Sequence, residues 1–153
     1  FNYYSNIDKI AQAIVKKKPN YTFPNVSDIK NKAKFIFISD FLKPLEEIKP
    51  MLETLKKKNA SGILIQILDP EEISLTDKGR VIYKSIEEDD SITVDNVETI
   101  NEEYKVSLQK HIKKIREFTN KSGMSYLSLN TSESIEENFI KLCSSFNKGK
   151  YFA

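Results

Sequence analysis

Seven polar residues in this chain occur where the end of an apolar run gives way to a turn. Ser39 and Asp40 follow the run Lys-Phe-Ile-Phe-Ile, Asp69 and Glu71 follow Ile63–Leu68, and Asn130, Thr131 and Ser132 follow Met124–Leu129. If the three runs are parallel strands of one sheet, these groups share its carboxyl edge, where open α/β sheets bind their ligands. Carboxylates and hydroxyls gathered there suit a hard cation such as Mg²⁺, which prefers oxygen ligands. The same residue types also cap helices and close turns at such positions. For Asp69 and Thr131 the capping role is the expectation, and Asp40 is held open between the two.

Other chemistry is poorly supplied. The only His, His111, falls on the apolar face of a long helical stretch, without a nucleophile or orienting partner in sight. It is expected to be a hydrogen-bonded structural residue, and Tyr104 a core aromatic. The single Cys, Cys143, lies between Leu142 and two serines. It reads as a buried, inert thiol and excludes an internal disulfide or a thiolate-rich zinc site. No Gly-rich phosphate loop, G-x-S-x-G elbow or H-E-x-x-H pair occurs, which removes most nucleotide-hydrolysing, ester-hydrolysing and metalloprotease classes.

The elements that must position these groups follow from periodicity. Ile7, Ile10, Ala11 and Ile14 predict a helix over 6–18, and a polar connector over 19–32 reads as the most mobile stretch. Residues 34–39 form a nearly continuous apolar run, as for a strand buried on both faces and central in a parallel sheet. Leu45, Ile48, Leu52 and Leu55 predict a helix over 44–58, with a kink or restart at Pro50. A second strand follows over 62–68, then a hairpin from Arg80–Ile86 and Ser91–Val97 as an antiparallel excursion from the main sheet. A helix over about 98–121, carrying Ile100, Tyr104, Leu108, Ile112, Ile115 and Phe118, stops at Gly123. The third strand is 124–129, and a last helix over 134–146 should turn Ile135, Phe139, Leu142 and Phe146 inward. The sum is an α/β domain of three layers.

Composition narrows the partners. The 153 residues are 39% hydrophobic and 30% charged, enough apolar content for a real core. Twenty-four basic against 22 acidic residues leave a net charge of +2. Arg80 and Arg116 are the only arginines, so nucleic acid is not the expected partner. The lysine runs 16–18 and 56–58 each close a helix, where cations suit the dipole and solvate the surface. No apolar stretch is long enough for a membrane helix. The N-terminus carries neither an initiator Met nor a signal pattern, so a trimmed or fragmentary cytoplasmic protein is the expectation.

Ile38-Ser39-Asp40-Phe41-Leu42, Gln66-Ile67-Leu68-Asp69-Pro70-Glu71, Gly79-Arg80, Tyr104, His111 and Gly123 together resemble the C-terminal half of the domain of unknown function 58 family. That resemblance runs from about residue 34 to 146. It implies a partial von Willebrand factor A-like, Rossmann-like sheet and an association with MoxR-type AAA+ ATPases. It divides the chain into an N-terminal helix and connector (1–32), the von Willebrand A-like half (33–147) and a tail (148–153). Asp40 matches the metal-site Asp that follows the fourth strand of such domains. The Asp-x-Ser-x-Ser loop that completes that site is absent, and Asn130-Thr131-Ser132 stands where the family often shows His-x-Thr-Asp. One carboxylate with water holds Mg²⁺ only weakly, so no cofactor is expected.

A non-enzymatic protein-interaction module serving a MoxR-type AAA+ ATPase in protein assembly or maturation is therefore the leading expectation. The alternative is a metal-dependent hydrolase or phosphoesterase using Asp40, Asp69 and Glu71. In either case the exposed side of a halved sheet should be covered by the 6–18 helix, the missing N-terminal half, another partner or a second copy of the chain.

Overall fold

The computed structural model describes residues 23–84 and 91–148, with only the backbone of 146–148. The expected helix at 6–18, lysines 16–18, the hairpin turn at 87–90 and residues 149–153 lie outside the described residues. Nine elements follow in order: β1 (Lys34–Ser39), α1 (Leu45–Lys57), β2 (Ser61–Leu68), α2 (Pro70–Ile73), β3 (Val81–Lys84), β4 (Ser91–Val94), α3 (Val97–Lys121), β5 (Ser125–Asn130) and α4 (Ile135–Lys148).

Strands β1, β2 and β5 form one parallel sheet in the order β1-β2-β5. The helical crossovers α1 and α3 make parallel pairing possible, because parallel strands need long connections. Phe35 stands opposite Gly62, Phe37 opposite Leu64 and Ser39 opposite Gln66, while Tyr126 pairs with Leu64 across the other side of β2. Alternation puts these side chains on one face. There Phe35, Phe37, Leu64 and Tyr126 meet Ile48, Leu52 and Leu55 of α1 and Ile115 of α3. Each fully buried Leu or Ile contributes about 1.5–3 kcal/mol relative to exposure, so this face holds most of the described core. At Gly62 a Cβ would lie 2.2 Å from the Phe35 carbonyl oxygen and 2.7 Å from its ring. Only glycine lets β1 and β2 approach with this aromatic in place.

Four expectations need correction. First, among the described residues β1 is an edge strand, not a central one: there it pairs only with β2, and its exposure alternates along its length. Ile36 and Ile38, on the face away from α1, are 52% and 61% exposed. Second, β4 ends at Val94 and not at Val97, where α3 begins; with β3 it forms the expected antiparallel excursion, as a separate two-stranded sheet. Third, of the kink or restart expected at Pro50 the restart does not occur: α1 is continuous from Leu45 to Lys57, with Ile48, Met51, Leu52 and Leu55 buried on both sides of the proline.

The fourth concerns α4. Ile135 and Phe139 are 84% and 61% exposed rather than inward, while Leu142 and Cys143 are only half-buried. The Asn138 side chain donates its amide to the Asn130 carbonyl at 3.0 Å. That bond turns Asn138, Leu142 and Ser145 toward the body of the protein and rotates Ile135 and Phe139 outward. The Phe146 side chain lies outside what is described.

From residue 23 the entering chain is pinned. Phe23 stacks on Phe41 and tilts against Phe37, and Val26 is buried in the core. Lys58, just past α1, donates to the carbonyls of Ser27 (2.7 Å) and Ile29 (2.8 Å). Its role is to tie down the connector as well as to close the helix.

Candidate functional site at the sheet edge

All three strands are parallel, so their polar ends do share one edge. What they do there is mostly local. Ser39 Oγ accepts from the Phe41 amide (3.1 Å) and donates to Asp40 Oδ1 (3.2 Å), which also accepts from the Leu42 amide (3.2 Å). This is the hydrogen-bonding of an Asx turn, and the Asp40 carboxylate is exposed at its rim.

Asp69 is the N-cap of α2. Its Oδ1 accepts from the Glu71 amide (3.0 Å), and its own amide donates to Glu72 Oε2 (2.8 Å), giving a capping box. Its Oδ2 accepts from Thr131 Oγ1 at 2.5 Å, and the Thr131 amide donates to the Leu68 carbonyl. These contacts tie the ends of β2 and β5 together. The Thr131 hydroxyl, followed by the Glu71 amide, holds the Asp69 carboxyl below its ordinary range, because both favour the charged form. Asn130 Oδ1 accepts from the Ser132 amide and hydroxyl, closing the turn into α4. Glu71 points its carboxylate to solvent.

Asp69 and Thr131 are thus brought together, with Asn130 beside them in sequence, and Ser39 with Asp40. Among the described residues, no group of three or more His, Cys, Asp or Glu side chains could hold a metal ion.

Beneath this edge lies Gln66, to which the sequence assigns no role beyond its place in the Gln66–Glu71 segment. Gln66, in the middle of β2, is 0% exposed. Its Nε2 donates to the Asp40 carbonyl at 2.5 Å, and its Oε1 accepts from the Tyr126 hydroxyl. Burial pushes the Tyr126 phenol up to about 12, against the opposing pull of Arg116, whose guanidinium sits 5.3 Å from the ring centre. His111 Nε2 lies 2.8 Å from the Phe41 carbonyl oxygen. A carbonyl only accepts, so that nitrogen carries the proton.

Two successive carbonyls of the loop are therefore held from below, by Gln66 and His111. Phe41 itself has φ of 50°, in the left-handed region, and its ring is fully buried. The signal was available in the sequence as one amide inside Ile63-Leu64-Ile65-Gln66-Ile67-Leu68. Tyr104, half-buried, plays a similar bracing role by donating to the Glu72 carbonyl at 2.5 Å.

A family model described as "Protein of unknown function DUF58" matches residues 6–114. The match takes in β1 through most of α3, including the Ser39–Leu42 and Gln66–Glu71 segments, and ends before β5 and α4. No curated protein and no solved structure matches the chain.

Proposed function

This chain belongs to the DUF58 family of proteins of unknown function, and from that premise we propose that it is a protein-interaction module and not an enzyme. On this reading the sheet is part of a von Willebrand factor A-like domain, and the partner is a MoxR-type AAA+ ATPase acting in protein assembly or maturation in the cytoplasm. The observation that carries the interaction role is the apolar surface left open. Ile36 and Ile38 of the edge strand are exposed, and so are Ile135, Phe139 and Ile140 of α4. Exposed apolar surface of this kind marks association sites, and a strand at the edge of a sheet among the described residues offers backbone groups to a partner.

The sheet-edge residues support the same choice. Ser39, Asp40, Asp69, Asn130 and Thr131 are engaged in turns, a helix cap and an inter-strand tie, which are structural duties. Asp40 would be the only metal ligand, so Mg²⁺ binding should be weak. Among the described residues no helix is long and apolar enough to cross a membrane.

Calorimetry of the purified chain with a purified MoxR-type ATPase from the same genome tests this reading. Binding that is lost in an Ile36→Lys, Ile38→Lys variant supports it. Absence of binding sinks it, as does Mg²⁺-dependent phosphoester hydrolysis that disappears in Asp40→Asn. The latter would establish the hydrolase alternative.

A further inference from the structure

The outer side of β1 is a backbone edge that the described fold leaves unused. The Ser61 amide of β2 donates to the Ala33 carbonyl at 3.0 Å, and the backbone groups of successive residues point to opposite sides of a strand. Phe35, Phe37 and Ser39 therefore turn theirs toward β2, while Lys34, Ile36 and Ile38 turn theirs outward. Among the described residues no strand takes up that outer side. We propose that β1 pairs antiparallel with β1 of a second copy of this chain, centred on Phe37, so that two three-stranded sheets join into one.

The strand's own sequence favours a second copy as the occupant. Residues directly opposite each other in an antiparallel pair lie on the same face. Centring on Phe37 sets Lys34 opposite Asp40, Phe35 opposite Ser39 and Ile36 opposite Ile38, and symmetry repeats each pair. Lys34 and Asp40 are both exposed, so opposite charges meet at either end of the paired strands. Asp40 uses Oδ1 in its own turn, which holds the carboxylate at the rim. Ile36 and Ile38, 52% and 61% exposed, gain β-branched neighbours, and each exchanges backbone bonds with the other's copy. Adjacent registers lose this match. Centring on Ile36 sets Lys34 opposite Ile38, and centring on Ile38 sets Asp40 opposite Ile36. Lys34 thus discourages those pairings, as edge lysines do, and permits this one.

The inference rests on the reading of β1 as part of an interaction surface, and it assigns the backbone edge alone. The side chains of Ile36 and Ile38 still line one face of the joined sheet, where Ile67 of β2, 37% exposed, continues it. That face, doubled in extent, remains for the protein partner.

Sedimentation equilibrium of the full chain, with no ATPase present, tests the pairing. The expected result is a reversible monomer–dimer equilibrium. Lys34→Glu and Asp40→Lys should each weaken the dimer about tenfold, because like charges then stand opposite each other at both ends. The variant carrying both changes should recover wild-type association. Cysteines placed at exposed isoleucines in a Cys143→Ser background read the register, and decide the matter independently where Asp40→Lys disturbs its turn. Residues that exchange backbone bonds have Cα atoms about 5.5 Å apart, within disulfide reach, whereas diagonal neighbours at about 7–8 Å are beyond it. An oxidised mixture of Ile36→Cys and Ile38→Cys chains should therefore cross-link, and either chain alone should not. A monomer at every concentration, a double reversal no better than the single ones, or an Ile36→Cys chain that cross-links to itself would each overturn the proposal. A monomer that binds the ATPase overturns the pairing and leaves the ATPase reading intact; a dimer that ignores the ATPase does the reverse.

Discussion

Gln66→Met removes a buried amide while nearly preserving side-chain volume, and its cost follows from the two groups it abandons. The wild-type amide, itself 0% exposed, donates to the Asp40 carbonyl and accepts from the Tyr126 hydroxyl. Leaving a buried donor or acceptor unpaired costs about 1–3 kcal/mol. The Asp40 carbonyl belongs to an exposed loop residue and can recruit water, so it falls at the low end. The Tyr126 hydroxyl sits deeper, since burial pushes its ionisation up to about 12. The expected loss for Gln66→Met is about 2–4 kcal/mol in urea unfolding followed by circular dichroism, with an unchanged m-value. Tyr126→Phe alone should cost about 1 kcal/mol. In the Gln66→Met background the same change should be neutral or stabilising, because it removes an orphaned hydroxyl. The coupling between the two positions should therefore reach about 1–2 kcal/mol, and additivity within about 0.5 kcal/mol would refute the bonding scheme. Shifts of the Asp40 and Phe41 amides in Gln66→Met would report the loop directly.

Gly62→Ala should destabilise the chain by about 1–3 kcal/mol, measured by the same unfolding curves, because its Cβ would collide with Phe35 backbone and ring. Asp69 has a lowered pKa in the folded state, so its contribution is present above the ordinary carboxyl range and is lost as pH falls through the folded value. Thr131→Val should remove the larger cause, and acid unfolding should then begin at higher pH. Tyr126 has the opposite sense: its phenol is held neutral, so stability falls above pH 10 as the unfolded state ionises, and levels off above about 12. Spectrophotometric titration should show one tyrosine ionising near 12 that is missing in Tyr126→Phe. Calorimetry with Mg²⁺ should give weak binding or none, and tight stoichiometric binding abolished by Asp40→Ala would contradict the interaction reading.

Local pattern carried the element boundaries well. The strands at 34–39, 62–68 and 124–129 are found at Lys34–Ser39, Ser61–Leu68 and Ser125–Asn130, because Asp, Asn and Gly punctuate each run. The same pattern misled about β1. Phe-Ile-Phe-Ile is apolar on both faces, and nothing in six residues distinguishes a strand covered on both sides from one covered on one. Phe35 and Phe37 meet the helices, while Ile36 and Ile38 stay open. Helix rotation posed a comparable problem in α4, where a hydrophobic stripe pointed one way while the Asn138 side chain, on another, bonds the Asn130 and Glu133 carbonyls. Periodicity ranks faces by hydrophobicity, but it cannot see a polar anchor eight residues upstream.

The sheet edge illustrates the limit more sharply. Motif logic drew attention to Asp40, Asp69 and Thr131 because carboxylates and hydroxyls at strand ends can do chemistry. The contacts of Asp69 and Thr131 are the capping box expected there and, beyond it, a tie between two strand ends. What holds the Asp40 loop in its left-handed turn is supplied from far along the chain, by Gln66 and by His111, whose bond to the Phe41 carbonyl spans 70 residues. Each looked unremarkable alone, one an amide in a greasy strand and the other a lone imidazole on a helix. Only the parallel pairing of β1 with β2 and the packing of α3 against α1 and β5 bring them under the same two carbonyls. A polar residue in the middle of a buried strand is therefore the more informative sign: its burial must be repaid by a partner, and that partner marks the loop the fold is built to hold.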